Sequence, residues 1–201
     1  TTQSKGITKV TICGGDPLSR PDIISLLEEI KRLGFFINLD TVGTSIIGNV
    51  QTVFFGQNDI PKIDSKKLAS LIDLIGIPVD GSTNEIATTF RSGRAHLLDE
   101  QLRIIEILDG VGANICINTV VHKQNINDIP HILPLLLPFA SISKWQLFQF
   151  APIGPLGFRN REIYSIDTNL FGVLRKRLTE AILSSDFAGC IEFKSNEDRF
   201  R

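Results

Sequence analysis

The residues best arranged for chemistry stand near the start of the chain, in the run Gly14-Gly15-Asp16-Pro17. Two glycines let backbone amides come close to a ligand, and a carboxylate beside them accepts hydrogen bonds from an ammonium group. Taken alone, the same four residues also read as a tight strand-to-helix connection. Asp40, Thr41 and Asp80 fall at or near the ends of β-like runs. Ligands gather at such ends in alternating β/α proteins, and each of the three is equally able to cap the turn that follows. Gly154, Gly157, Arg159 and Arg161 form a basic, glycine-bearing loop that reads either as an anion site or as ordinary solvated charge.

Other reactive side chains are less organised. His96, His122 and His131 have no spacing that brings two of them to one local face. Cys13, Cys116 and Cys190 are far apart, which suggests neither a disulfide framework nor a zinc knuckle and fits a reducing, cytoplasmic setting. The metal-ligand set expected from this sequence is therefore none. Trp145, the single tryptophan, reads as core.

The elements that must carry these residues alternate. A β-rich run at 10–13 stops at the glycines. Ser19 with Asp22 reads as a capping pair for a helix whose Ile23, Ile24, Leu27, Ile30 and Leu33 recur at helical spacing before Gly34. The pattern then predicts strand 35–40, helix 64–73, strand 74–80, helix 99–108 and strand 114–121. Helix 128–137, strand 142–150, helix 167–183 and a short strand 191–194 follow. Strands separated by helices pair in parallel through right-handed crossovers, in an open doubly wound sheet or in a barrel. The connection 45–63 breaks the rhythm. It reads as a lid or substrate loop, or as a surface excursion packed by Val53, Phe54 and Phe55.

Composition bounds the alternatives. With 201 residues, 42% hydrophobic and 21% charged, the chain suits one compact unit rather than a disordered polymer. The expected division is a barrel over 1–165 with a flanking helix and strand over 166–201. A net charge of −1 provides no field to gather nucleic acid or an anionic membrane. Apolar runs such as 132–140 are broken by prolines and fall short of the roughly 20 residues that span a bilayer. The first residues have neither the charged start nor the apolar stretch of a signal peptide, and a start without Met reads as a truncation.

Ile12-Cys13-Gly14-Gly15-Asp16-Pro17-Leu18, Arg20-Pro21-Asp22 and Leu39-Asp40-Thr41-Val42-Gly43-Thr44 together resemble the second and third strands of radical S-adenosylmethionine (radical SAM) enzymes. There a GGEP turn meets the methionyl amino group, and Asp16 stands where Glu is commoner. Ile77-Pro78-Val79-Asp80-Gly81, Arg91-Ser92-Gly93, Ile117-Asn118-Thr119-Val120-Val121 with Asn125, and Lys144-Trp145-Gln146-Leu147-Phe148-Gln149 extend the likeness over nearly the whole chain. Some segments are similar to viperin-like and peptide-modifying branches.

The resemblance implies an α/β partial (β/α)6 TIM-like barrel of parallel strands. In such enzymes a [4Fe-4S] cluster on a CxxxCxxC loop binds and cleaves SAM, and the resulting 5′-deoxyadenosyl radical takes a hydrogen atom from a peptide or small-molecule substrate. Carried over, Gly14, Gly15, Asp16 and Pro17 meet the SAM amino group. Arg91 holds its carboxylate, or is a surface arginine. Asn118 contacts the ribose, or is a buried amide tied to a neighbouring backbone. Gln149, Ala151, Pro152 and Gly154 present backbone to the adenine, with Thr41 and Asp80 of second rank. No CxxxCxxC occurs in the sequence. The expectation is a barrel missing its first strand and cluster loop, without turnover by itself, whose parent uses SAM and the cluster. Its bare edge at 10–13 would invite a second copy into a homodimer. The alternative is a cluster-free degenerate barrel that binds a nucleotide, a SAM-like ligand or a protein.

Overall fold

The computed structural model describes residues 6–52, 58–91 and 93–197. Val53, Phe54, Phe55 and Ser92 lie outside them. In chain order the elements begin with β1 (Lys9–Ile12), α1 (Ile23–Arg32), β2 (Phe36–Asp40), α2 (Thr44–Ile47), β3 (Val50–Thr52), β4 (Asn58–Ile60) and α3 (Ser65–Leu71). They continue with β5 (Leu74–Pro78), α4 (Asn84–Phe90), α5 (Leu97–Gly110), β6 (Ile115–Val121), α6 (Leu133–Leu136) and β7 (Ile142–Gln149). Last come α7 (Gly154–Arg159), α8 (Arg161–Tyr164), α9 (Thr168–Leu183) and β8 (Cys190–Lys194). Six strands share one sheet in the order β1-β2-β5-β6-β7-β8, while β3 and β4 pair antiparallel by themselves. The neighbours β1 and β2, β2 and β5, and β7 and β8 run parallel, as alternation with helices requires. The α/β expectation therefore holds. The chain divides into two compact units, one of residues 1–78 and 100–116, the other of residues 79–99 and 117–201.

In the first unit α1 buries Ile23 and Leu27, and β2 buries Ile37 and Leu39. All five residues of β5 are buried, the pattern of a parallel strand covered on both faces. The helix expected over 64–73 ends at Leu71, with the Asp64 carboxylate capping its start at the amides of Lys66 and Lys67. Asp73 is not helical and instead ties the strands together, accepting from the Ile37 amide at 2.8 Å and pairing with Lys31 at 2.8 Å. The Ser19–Asp22 capping pair does not form. Asp16 caps the 3-10 turn Pro17–Ser19 at its start, and Asp22 is drawn to the Arg20 guanidinium. The long connection is partly regular, with α2 and β3 before residues 53–57 and β4 after them.

In the second unit the helix expected over 128–137 splits into a 3-10 turn, Ile129–His131, and the short α6. Pro130 and Pro134 have no amide hydrogen to donate, so no continuous helical ladder can form. Trp145 is fully buried, as expected, and its indole N–H donates to Thr119 Oγ1 at 2.9 Å. The Thr119 hydroxyl donates onward to the Val79 carbonyl at 2.6 Å. On neighbouring rungs of β7 and β8, Lys144, Gln146 and Lys194 converge on Glu192 at 2.7, 2.8 and 3.0 Å. Those donors hold the Glu192 carboxyl down to about 2.

Candidate functional site

Chemistry in the first unit centres on the turn that ends β1. Gly14 has φ +122°, a conformation strained for any residue with a Cβ, and at both Gly14 and Gly15 an added Cβ would meet open space. The backbone is thus bare on its outer side. Half-buried Asp16 directs Oδ1 inward, where it accepts from the Leu18 amide at 3.3 Å and from the Thr41 hydroxyl. That hydroxyl accepts in turn from the Gly43 amide at 2.9 Å, which holds Thr41 in place behind Asp16. Asp16 Oδ2 has no partner among the described residues. Pro17 opens the 3-10 turn. The structure thus brings Asp16 and Thr41 together, two residues that sequence reasoning singled out separately.

In the second unit the corresponding centre is Asp80. Its carboxylate is wholly buried. Oδ1 accepts from the Val120 amide at 2.7 Å, and Oδ2 accepts from Arg91 Nε at 2.6 Å. The backbone around it is pinned by Asn125, whose Nδ2 donates at 2.8 Å to the carbonyls of both Asp80 and Val120. Asn125 Oδ1 accepts from the His122 amide at 2.8 Å. Helix α4 leaves from this point and returns to it. Thr83 caps its start at the Ile86 amide, and Arg91 stands at its C-terminal cap. Gly81 allows the close start, since a Cβ there would lie 2.6 Å from the Ala87 nitrogen. Sequence reasoning passed over α4, although Ser82-Thr83-Asn84-Glu85 carries an N-cap signal.

Phe90, at the end of α4, joins a cluster of rings. Its centroid is 5.4 Å from His122, 5.3 Å from Tyr164 and 6.0 Å from Phe150. The Tyr164 hydroxyl closes the group by donating to the Thr89 carbonyl at 2.8 Å. His122 is fully buried, and burial pushes its imidazole down to about 4 against a smaller upward pull from Asp80. A cavity of about 530 Å³ opens beside the rings, with Phe148, Gln149, Ala151, Leu156 and Tyr164 in its wall. The Gln149 side chain is already engaged, donating to the Ile166 carbonyl at 3.1 Å and accepting from the Asn196 amide at 3.0 Å. Asn118 lies half-buried in β6, with its carbonyl accepting from the Val79 amide at 3.1 Å. Pro152 follows the β7 end, where its backbone would lie 3.2 Å from a Cβ added at Gly157. Among the described residues no group of three or more His, Cys, Asp or Glu side chains could hold a metal ion, and all three cysteines are free thiols.

The sequence model of the radical SAM superfamily matches residues 1–136. This chain belongs to the radical SAM superfamily. Two curated relatives are similar to it: the PqqA peptide cyclase of Methylorubrum populi, 26% identical over 132 residues, and the AdoMet-dependent heme synthase of Methanosarcina barkeri, 26% identical over 143 residues. The matches cover 65% and 71% of this chain and 30% and 37% of those proteins, so the radical SAM chain described here spans about a third of their length. Among solved structures, Streptococcus suis SuiB bound to S-adenosylmethionine superposes with a TM-score of 0.71 at 18% identity, covering 94% of this chain and 39% of SuiB. That likeness carries the fold of a radical SAM partial barrel.

Proposed function

We propose that this chain holds S-adenosylmethionine for radical chemistry on a peptide substrate. The observation that carries the reading is the divided carboxylate of Asp16. One oxygen is fixed by Leu18 and Thr41, and the other has no described partner beside a bare glycine backbone. Such an oxygen suits an ammonium donor, and Gly14 and Gly15 leave room for it. Arg91 suits the methionyl carboxylate, because a guanidinium anchored through Nε keeps two terminal nitrogens for a second fork. The aromatic-walled cavity at the end of β7 suits a purine ring, with backbone rather than the engaged Gln149 side chain as its polar contact. Taken one by one, these groups suit the ammonium, the carboxylate and the purine of SAM, and among the described residues no group of three His, Cys, Asp or Glu side chains could hold a metal ion.

With a one-electron reductant, SAM held here would supply the chemistry of hydrogen-atom removal from a substrate. The chain's own residues bind and orient: Asp16 accepts from the ammonium, Thr41 keeps Asp16 turned, and Phe148, Phe150 and Tyr164 exclude water from the cavity wall. A peptide substrate is supported by the relatives, one being a peptide cyclase and SuiB having been solved with its precursor peptide SuiA at a TM-score of 0.70 to this chain.

Equilibrium dialysis of SAM against the chain and its Asp16→Asn variant tests the reading. Asparagine retains an oxygen for Leu18 and Thr41 but replaces the partnerless oxygen with an N–H donor that opposes an ammonium. A hydrogen bond to a charged group is worth about 1.5–3 kcal/mol, so affinity should fall about 10- to 100-fold. Equal affinity for the two proteins, or no SAM binding by the unaltered chain, overturns it.

A further inference from the structure

We infer that Asp80 is a positioning residue: it aims Arg91 at the methionyl carboxylate and does not itself touch the ligand. The inference rests on the proposal that Arg91 holds that carboxylate, and goes beyond it by assigning what prepares Arg91 to do so. Asp80 has no exposed side-chain surface, and both its oxygens are committed, one to the Val120 amide and one to Arg91 Nε. No lone pair is left facing a ligand in the way Asp16 Oδ2 does. Arg91, by contrast, retains a third of its side-chain surface, and among the described residues its hydrogen-bonding partner is Asp80.

The geometry of the bond matters. A guanidinium gripped at Nε is held at its inner edge, so its terminal nitrogens remain together as a two-pronged donor whose direction Asp80 sets. The grip is immobile because Asp80 is held three ways. Val120 binds its carboxylate, Asn125 binds its carbonyl, and Gly81 brings α4 so close that the helix delivering Arg91 starts against the same turn. A flexible arginine loses rotamer freedom when it captures a carboxylate, while one already locked has less to lose.

A plain structural ion pair would support the fold without distinguishing ligands by their carboxylate, and that difference gives the test. Affinities of SAM and of decarboxylated SAM, which has the same sulfonium, amine and adenosine, are measured for the unaltered chain, Asp80→Asn, Arg91→Ala and the double variant. The unaltered chain should prefer SAM by about tenfold or more, as expected for a bidentate charged contact. Arg91→Ala should abolish the preference, Asp80→Asn should reduce it to within about threefold, and the double variant should match Arg91→Ala. Decarboxylated SAM should bind all four alike. An Asp80→Asn protein that retains the full preference, or that gains affinity for SAM because a charge has been released, overturns the inference. An Arg91→Ala protein that retains it overturns the underlying reading instead. If Asp80→Asn fails to bind decarboxylated SAM, Arg91→Lys decides, since lysine still neutralises buried Asp80 but presents no fork; a retained preference there counts against the inference.

Discussion

Lowering the pH from 7.5 to 5 should remove about 2 kcal/mol of folding stability through His122 alone. The ring is fully buried between Phe90 and Tyr164. Its Nδ1 accepts from the Gln124 amide at 3.2 Å, which puts the proton of the neutral ring on Nε2, an atom with no partner among the described residues. Burial lowers its pKa from 6.5 to about 4, with Asp80 pulling the other way. Between those values the unfolded chain takes up a proton that the folded ring refuses. The stabilisation is therefore fully present above 6.5 and declines as pH falls through the window. At pH 5 the distance below 6.5 is 1.5 pH units, and at about 1.36 kcal/mol per unit the loss is about 2 kcal/mol, levelling near 3 kcal/mol below pH 4. Urea titrations at both pH values, on the protein and on His122→Asn, measure it. Asparagine preserves an acceptor for Gln124 and does not titrate. Asp22, Glu29, Asp73 and Glu192, whose lowered pKa values also weaken the fold in acid, contribute equally to both proteins and cancel. Parallel pH dependence in the two proteins, or a His122 ring that titrates near 6.5 by NMR, refutes the reasoning.

Thr119→Val should cost about 2–3 kcal/mol in urea titration, because it strands the buried Trp145 N–H and removes the donor to Val79, whereas Thr119→Ser should cost less than about 1 kcal/mol. A reversed order would contradict the hydroxyl's role. Gly81→Ala should cost about 1–3 kcal/mol by pushing α4 off its close contact, and should weaken SAM binding along with it. Unchanged stability and binding would show that the turn yields easily. Strand β1 ends the sheet order, and light scattering should find self-association through that edge; a monomer at high concentration argues against it.

How much was legible depended on whether the signal was local. Helix α1 announced itself by apolar spacing, and the Asp16 turn by glycines that no strand continues through. The split at α6 was present in Pro130 and Pro134 but was outweighed by the surrounding leucines. Helix α4 offered few apolar positions, Ile86, Ala87 and Phe90, among residues that favour turns. Two features had no local signal. Asp80 and Arg91 each looked like a ligand contact, and only three dimensions reveal that they bind one another. The rings of Phe90, His122, Phe150 and Tyr164 come from four separate stretches, so the cavity that Phe90, Phe150 and Tyr164 line could not be read from any one of them.

The two compact units are interleaved along the chain, and this bears on how the molecule can be made. Residues 79–99, which carry Asp80 and Arg91, are inserted between two pieces of the first unit, 1–78 and 100–116. During synthesis the first unit waits for α5 and for Asn114, whose carbonyl accepts from Ile75 at 2.9 Å, until that inserted segment has already emerged. An expression fragment ending at residue 78 would lack those partners. One beginning at residue 79 would carry α5 and Asn114 without the strand they serve. A single cut therefore cannot separate two finished halves, and gene fragments intended to isolate either unit should yield insoluble chains that recover only when co-expressed.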